Sequence, residues 1–594
     1  MCIKSVYRNR ACNVFMMNVE CLGLFLITIG ALTGVNVCLS QRDGSRVSKK
    51  FSAPSKVIDY QQPVVNIKSG MTIVGRVNKT VDEQKTYFTF RAIPFALPPI
   101  KELRFKPPVA LPGNLSDQLV NATRDAARCI EFNSTGGSED CLYLNVYTPQ
   151  FKNSSKLRPV MVWIYGGAFI VGNSDYSSYG PDYLINQDVI VVTFNYRLGI
   201  FGFLSTEDYA SPGNYGLKDQ IMALRWVQEN IEYFGGNCSK VTLFGESAGS
   251  ASVSYLTQTP LTKGLFQRAI MESGTSLNSW ALTLNGRLIT LRIANILRIN
   301  THSSLAIVEG LKKVNAAKLQ EATLSSFLDD TLEDNLLNGL PFGPTIEPIH
   351  PGAVVVNYSY EQLQNGLLHN IPYIIGYNSL EGIPFVDMLN RIRWYLIQYD
   401  LAPTRLVPAS MNVYDSPTKV NVSLIIKHHY YGKTPITLSE DSLLQFTSDD
   451  QFVRPILEAA TLYSQSAPVY LYKFSYQGSL GSGKRKQRGV GHAEELPYIW
   501  RIANNYNKVT PRDIVTRKRM VTLWTNFAKY GNPTPAPDTL LQNVSWPIAH
   551  ENEFSLRYLN INVTLNASAD PNWKSFLFWT DLFKKYGNPP FVTY

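Results

Sequence analysis

TLFGESAGSAS (242–252) reads as the end of a short apolar strand, a knot of small residues around one serine, and the opening of a helix. A plain tight turn would account for small side chains. The context argues for more. Gly245-Glu246-Ser247-Ala248-Gly249 follows the strand VTLF and precedes a helical stretch, the setting in which a strained elbow lifts a hydroxyl clear of a sheet. The glycines have a steric reason there, because flanking side chains would collide as the strand reverses directly into the helix.

Outward from this elbow, apolar runs alternate with amphipathic helices. RPVMVWIYGG (158–167), VIVVTFNYR (189–197), KVTLFGE (240–246), IPYIIGYN (371–378) and APVYLYKFSY (467–476) have the length and the β-branched or aromatic content of buried strands. MTIVGRV (71–77) and YFTFRAIPF (87–95) add β-rich segments, while 216–236 and 304–314 read as helices. Continuous apolar strands between helices predict an α/β protein with a mostly parallel central sheet covered on both faces. No repeat and no Pro- or Ser-rich linker divides residues 60 to 590.

A serine hydroxyl needs a base to take its proton and a third group to fix that base. Of seven histidines, His492 stands out, because RGVGHAEELPYIW (488–500) places it in a glycine-containing loop just after the strand at 467–476. Catalytic groups in this architecture sit at the carboxyl ends of strands, and the chain order is serine, acid, histidine. The acid then lies between 247 and 492. Glu381 in GYNSLEG (376–382) fits directly after a strand, with Asp387 as the alternative. The segment VWIYGGAFIVGN (162–173) runs from a strand into Gly166-Gly167-Ala168, whose amides, beside that of Ala248, are candidate donors to an oxyanion. Trp163, Phe169 and Trp280 are candidates for an apolar pocket or for core.

The ends and the surface carry their own signals. Residues 1–40 combine Lys4, Arg8 and Arg10 with the run CLGLFLITIGALTGVNVCLS (21–40), which predicts a cleaved signal peptide, with an uncleaved type II anchor as the alternative. Either places the remainder outside the cytosol, and 41–594 is expected to form a single domain. Sequons at Asn78, Asn114, Asn121, Asn133, Asn153, Asn237, Asn357, Asn421, Asn543, Asn562 and Asn566 agree with export. Four of the seven cysteines lie in the leader, leaving Cys129, Cys141 and Cys238. A bridge between Cys129 and Cys141 would close a short loop and contribute about 3 kcal/mol on a loop-entropy account. Cys238 is then the odd thiol, expected to be buried and inert. The net charge of +10 is scattered rather than striped, which argues against a nucleic-acid partner. KRKQR (484–488) and RKR (517–519) read as a solvated loop and a solvated helix face.

The chain resembles the type-B carboxylesterase and cholinesterase-like family of α/β-hydrolases, especially secreted insect carboxylesterases and juvenile-hormone-esterase-like proteins. The resemblance is carried by SEDCLYLNVYTP (138–149), WIYGGAF (163–169), NYRLGIFGFLS (195–205), GNYGLKDQIMALRWVQENI (213–231), VTLFGESAGSASV (241–253), GLFQRAIMESG (264–274), GYNSLEG (376–382), GVGHAEELPY (489–498) and LWTNFAKYGNPTP (523–535), in the family's order. It implies Ser247 as nucleophile, Glu381 as acid and His492 as base. It further implies Gly167, Ala168 and Ala248 as the oxyanion hole, a Cys129–Cys141 disulfide, and Ser273 as a partner near the acid.

Three departures sharpen the expectation. The loop CIEFNSTGGSEDC lacks the tryptophan with which cholinesterases hold a quaternary ammonium, which argues against choline esters. Ala168 replaces a usual glycine and keeps the amide. Glu246 stands where juvenile-hormone esterases usually have Gln. The resemblance thus implies a serine carboxylic-ester hydrolase acting on small apolar esters through an acyl-enzyme, with no metal and no cofactor. Juvenile hormone esterase is the narrower alternative, and a non-catalytic neuroligin-like adhesion protein is the alternative of another class.

Overall fold

The computed structural model describes residues 62–594 apart from 133, 135, 151–155, 334–339, 392, 482–487, 504–508 and 551–554. The leader, Asn133, Asn153 and most of KRKQR lie outside the described residues. We number the strands of the large sheet β1 (Arg76–Lys79), β2 (Thr86–Pro94), β3 (Tyr143–Thr148), β4 (Arg158–Ile164), β5 (Ile190–Phe194), β6 (Gly236–Glu246), β7 (Arg268–Glu272), β8 (Tyr373–Asn378), β9 (Val469–Phe474), β10 (Arg557–Ile561) and β11 (Leu565–Ala569). The flanking helices include α1 (Tyr215–Asn230), α2 (Ala248–Gln258), α3 (Ser304–Lys313), α4 (Arg454–Ser464) and α5 (Pro511–Tyr530).

The spatial order is β11-β10-β9-β8-β7-β6-β4-β5-β3-β2-β1. From β5 to β10 every neighbouring pair is parallel. Antiparallel strands close both edges, β3-β2-β1 on one side and β11 on the other. β5 is buried throughout, β4 from Val160 and β6 from Val241. Continuous burial, rather than alternation, is what a sheet covered on both faces demands. This is the mostly parallel α/β arrangement expected of the chain, and each of the five central runs holds a strand.

Some elements differ from expectation. MTIVGRV is not one strand: Thr72–Val74 joins a separate three-stranded sheet, and Arg76–Lys79 is β1. Gly75 allows the switch, since a Cβ there would lie 2.5 Å from the carbonyl oxygen of Thr89. β7 (RAIME) has no strand signal beyond Ala269-Ile270-Met271, because Arg268 and Glu272 bound it, yet Glu272 is buried. β10 and the edge strand β11 are short, with equally weak patterning. The RKR run is no uniformly solvated face. Lys518 is exposed, but Arg517 pairs with Asp82 and stacks over Tyr183, and Arg519 donates to the carbonyls of Leu540 and Val563. Cys238 is half-buried rather than buried, and its thiol donates to Glu232. Burial and that carboxylate hold the thiol above its ordinary range.

Two buried ion pairs tie α1 to its surroundings. The Arg197 guanidinium meets Asp219 through Nε at 2.8 Å and Nη2 at 2.7 Å, and the Arg197 amide donates to the same carboxylate. Lys218 meets Glu347, which also accepts from Asn214 and Val354. Removing one member of such a pair leaves the other charge uncompensated in a low-dielectric interior. Asp219→Ala is expected to lower stability by about 3–5 kcal/mol, read as a shift of the denaturation midpoint. A midpoint equal to that of the parent protein would refute the assignment of the pair as a fold-holding contact.

Candidate active site

The sheet order sets β6, β7, β8 and β9 side by side and parallel, so their carboxyl ends share one edge. Ser247 follows β6, Ser273 follows β7, Glu381 lies just beyond β8, and His492 occupies the connection after β9. Residues far apart in the chain converge there because the strands that precede them are neighbours.

Ser247 sits at the N-cap of α2 with φ 56° and ψ −124°. A non-glycine residue holds such a conformation only where its surroundings over-determine it. Here the Ser247 amide donates to the Glu272 carbonyl at 2.8 Å, and the Ser247 carbonyl accepts from Ala251 at 2.9 Å. Gly245 and Gly249 give the elbow its room. A Cβ at Gly249 would lie 2.0 Å from the Ile164 carbonyl oxygen, and one at Gly245 would lie 2.6 Å from the carbonyl carbon of Gly249.

The glycine pair after β4 packs on the serine: a Cβ at Gly166 would approach Ser247 Cβ to 2.9 Å. Gly167, Ala168 and Phe169 all have positive φ, at 111°, 56° and 60°. This turn therefore brings the backbone proposed from sequence as oxyanion donor beside the elbow. Ala248 begins α2, next to Ser247.

Glu381 is fully buried. One carboxylate oxygen accepts from Ser273 Oγ and from the Asn378 amide, both at 2.6 Å, and the other lies 2.8 Å from His492 Nδ1. A carboxylate at Nδ1 selects the tautomer that carries its proton there and leaves the Nε2 lone pair to accept another. Nε2 lies 3.1 Å from Oε1 of Glu246, the residue immediately before Ser247, so the imidazole stands at the elbow. Burial, followed by the charges of Glu381 and Glu272, raises the Glu246 carboxyl well above the usual range.

Aromatic side chains close one side. Phe452 lies 4.6 Å and Phe385 5.7 Å from the His492 ring, and Trp280 packs on Phe452 at 5.7 Å. Trp163 is core instead, packed among Tyr179, Phe244 and Trp500, and Phe169 is fully buried against Phe203. Asp387 belongs to the helix Ile383–Arg391, and its side chain lies outside the described part. Cys129 and Cys141 are bonded.

This serine elbow, carboxylate-held histidine and glycine turn meet known proteins at the scale of the whole chain. The carboxylesterase family profile matches residues 61–579. The chain belongs to the carboxylesterase family. The carboxylesterase is 36% identical to the juvenile hormone esterase of Tribolium castaneum, over 82% of this chain and 85% of that protein. It is 31% identical to venom carboxylesterase-6 of Apis mellifera, over 88% and 94%, and 33% identical to carboxylesterase 1C of Rattus norvegicus, over 89% and 94%. A crystal structure of juvenile hormone esterase from Manduca sexta, with OTFP covalently attached, aligns with TM-score 0.77 at 29% identity, covering 88% of this chain and all of that one. The carboxylesterase is thus a carboxylic-ester hydrolase of the α/β-hydrolase fold.

The sequence alone singles out neither Glu272 nor Glu495 beside this site, and marks Glu246 only for standing where a Gln is usual. Glu246, Glu272 and Glu495 are buried, and each acts electrostatically on another member of the group. Glu495 accepts from the Asn378 side chain. Their sequence signal is slight: Glu246 lies inside the serine motif, and Glu495 lies three residues after His492. Phe385 and Phe452 carried none, since an aromatic residue in a helical stretch reads as core.

Proposed function

We propose that Ser247, His492 and Glu381 hydrolyse carboxylic esters through an acyl-enzyme. The observation that supports this most is the carboxylate-held His492, with Nε2 facing the elbow that presents Ser247. In this reading His492 Nε2 takes the Ser247 proton as Oγ bonds to the ester carbonyl carbon. Glu381 stabilises the imidazolium, and the amides of Gly167, Ala168 and Ala248 receive the oxyanion. His492 returns the proton to the leaving alcohol as the ester bond breaks. A water then repeats the sequence on the acyl-enzyme, releasing the acid and restoring Ser247.

The substrates are apolar. Trp280, Phe385 and Phe452 offer aromatic surface next to the base, and no tryptophan stands in the disulfide loop to hold a choline headgroup. The relatives named juvenile hormone esterase make juvenile hormone the first natural candidate. We further propose that residues 41–594 form one domain exported behind the leader. Asn114, Asn121, Asn357, Asn421, Asn543 and Asn566 are exposed, as glycan acceptors must be, and among the described residues no helix is long and apolar enough to cross a membrane.

An organophosphate probe tests the chemistry: stoichiometric labelling that maps to Ser247 is expected, and a folded protein that resists labelling would oppose it. For the pocket, Phe452→Ala is expected to change the ratio of kcat/KM between long- and short-chain acyl esters by about tenfold, since each lost apolar contact discriminates by roughly 1–3 kcal/mol. An unchanged ratio would remove Phe452 from the substrate surface.

A further inference from the structure

We propose that Glu272 is a positioning residue for ester hydrolysis: its buried carboxyl, anchored on Trp524, fixes the Glu272-Ser273 pair that holds the nucleophile's amide with one residue and the acid with the next. This rests on the reading of Ser247, Glu381 and His492 given above and extends it to the strand between them.

Glu272 ends β7, between the strand that leads to Ser247 and the strand that leads to Glu381. Its carbonyl accepts the Ser247 amide at 2.8 Å. Ser273, at φ 55°, donates its hydroxyl to Glu381 at 2.6 Å and its amide to the Gly376 carbonyl at 2.9 Å. The two halves of the machinery thus hang on two consecutive residues. A strained φ at Ser273 persists only where neighbours hold it, and the Glu272 side chain is placed to do so. Its Oε1 accepts Trp524 Nε1–H from α5 at 2.8 Å, while Oε2 is buried without a hydrogen-bond partner among the described residues.

The charge state follows from the surroundings. Among the described residues, the ionisable groups on which Glu272 acts electrostatically are Glu246 at the end of β6, Glu495 beyond β9, and Tyr472 on β9, all of them acids. Burial raises the Glu272 carboxyl to about 8, against a smaller opposing effect of the Trp524 bond. At neutral pH the group is mostly protonated. Ionisation would place an anion with one unpartnered oxygen among other acids, and relief requires the strand end to move, taking the Ser247 and Ser273 anchors with it. The sign of the linkage agrees. A carboxyl whose folded value is raised adds stability at pH below the ordinary carboxylate range, and that stability is lost as pH climbs to about 8.

The full-length protein, assayed with a short aryl ester, tests this. Glu272→Ala is expected to lower kcat about tenfold with KM within about twofold, the pattern of an interaction needed in the transition state, and Glu272→Gln to recover most of that loss. The fall of kcat on the alkaline side is expected to move up by at least about one pH unit in Glu272→Gln. The pH titration of tryptophan fluorescence is expected to lose its midpoint near 8 in both Glu272→Gln and Trp524→Phe. A pH profile of Glu272→Gln that superimposes on the parent, or a Glu272→Ala that raises KM with kcat untouched, would overturn the proposal. If Glu272→Ala fails to fold, Trp524→Phe carries the test, and parental kcat in that variant counts against it. Ser247→Ala separates the two readings: a dead Ser247→Ala with superimposing Glu272→Gln profiles retires the role of Glu272 alone, whereas an active Ser247→Ala retires the triad itself.

Discussion

Ser247→Ala is expected to lower kcat for a short aryl ester by about 10⁵-fold, with the denaturation midpoint within a few degrees of the parent. The size follows from the arrangement: without Oγ no acyl-enzyme forms, and only the oxyanion donors and binding remain, which in serine hydrolases leave about 10³–10⁴-fold over water. The fold should survive because the elbow is held by its backbone. The Ser247 amide bonds to Glu272, its carbonyl accepts from Ala251, and the glycines at 245 and 249 supply the room. None of these contacts involves the hydroxyl. Pre-steady-state kinetics provide the check, since the burst of released alcohol should vanish with turnover. A variant that keeps a hundredth or more of parental kcat would remove Ser247 from the chemistry.

Glu381→Gln is expected to cost about 10³–10⁴-fold in kcat with little change in KM. One oxygen of Glu381 already accepts two donors, from Ser273 and from the Asn378 amide. A glutamine must therefore place its carbonyl oxygen there and its NH₂ at the other position, against His492 Nδ1. The imidazole answers by presenting a lone pair at Nδ1 and carrying its proton on Nε2, where it can no longer accept from Ser247. The loss is thus one of tautomer rather than of packing. Glu381→Asp, which keeps the charge and draws it back, is expected to lose less. The order Gln worse than Asp in kcat checks the argument, and the reverse order would refute it.

The elbow itself was legible because its constraint is local. A strand that turns straight into a helix needs glycines on either side of the presented residue, and GESAG writes that need into five consecutive positions. The central strands were legible for a similar reason, since burial on both faces makes an unbroken apolar run. β7 escaped because its ends are charged residues whose burial depends on partners elsewhere. Glu272 looks like surface until Trp524, on a helix some 250 residues further along, is seen to donate to it. The inward-facing Arg517 and Arg519 hid for the same reason: their partners, Asp82, Leu540 and Val563, are remote in sequence.

The site divides along that line. Ser247, His492 and Glu381 could be proposed together from strand ends and from the order serine, acid, histidine, because Ser247 and Glu381 each sit just past a strand whose apolar run is visible and His492 lies in the connection after β9. Glu246, Glu272 and Glu495 could not be read as one buried set, because nothing in a linear pattern says that β6, β7 and the connection after β9 come together. Local sterics and the distribution of apolar residues act over a few neighbouring positions and so appear in the chain as written. Proximity of strands, burial of a carboxyl and the shift of its proton affinity are properties of the low-dielectric interior that forms only when distant segments exclude water together. That is why the proposed nucleophile was visible in eleven letters, and why the strand that anchors it was not.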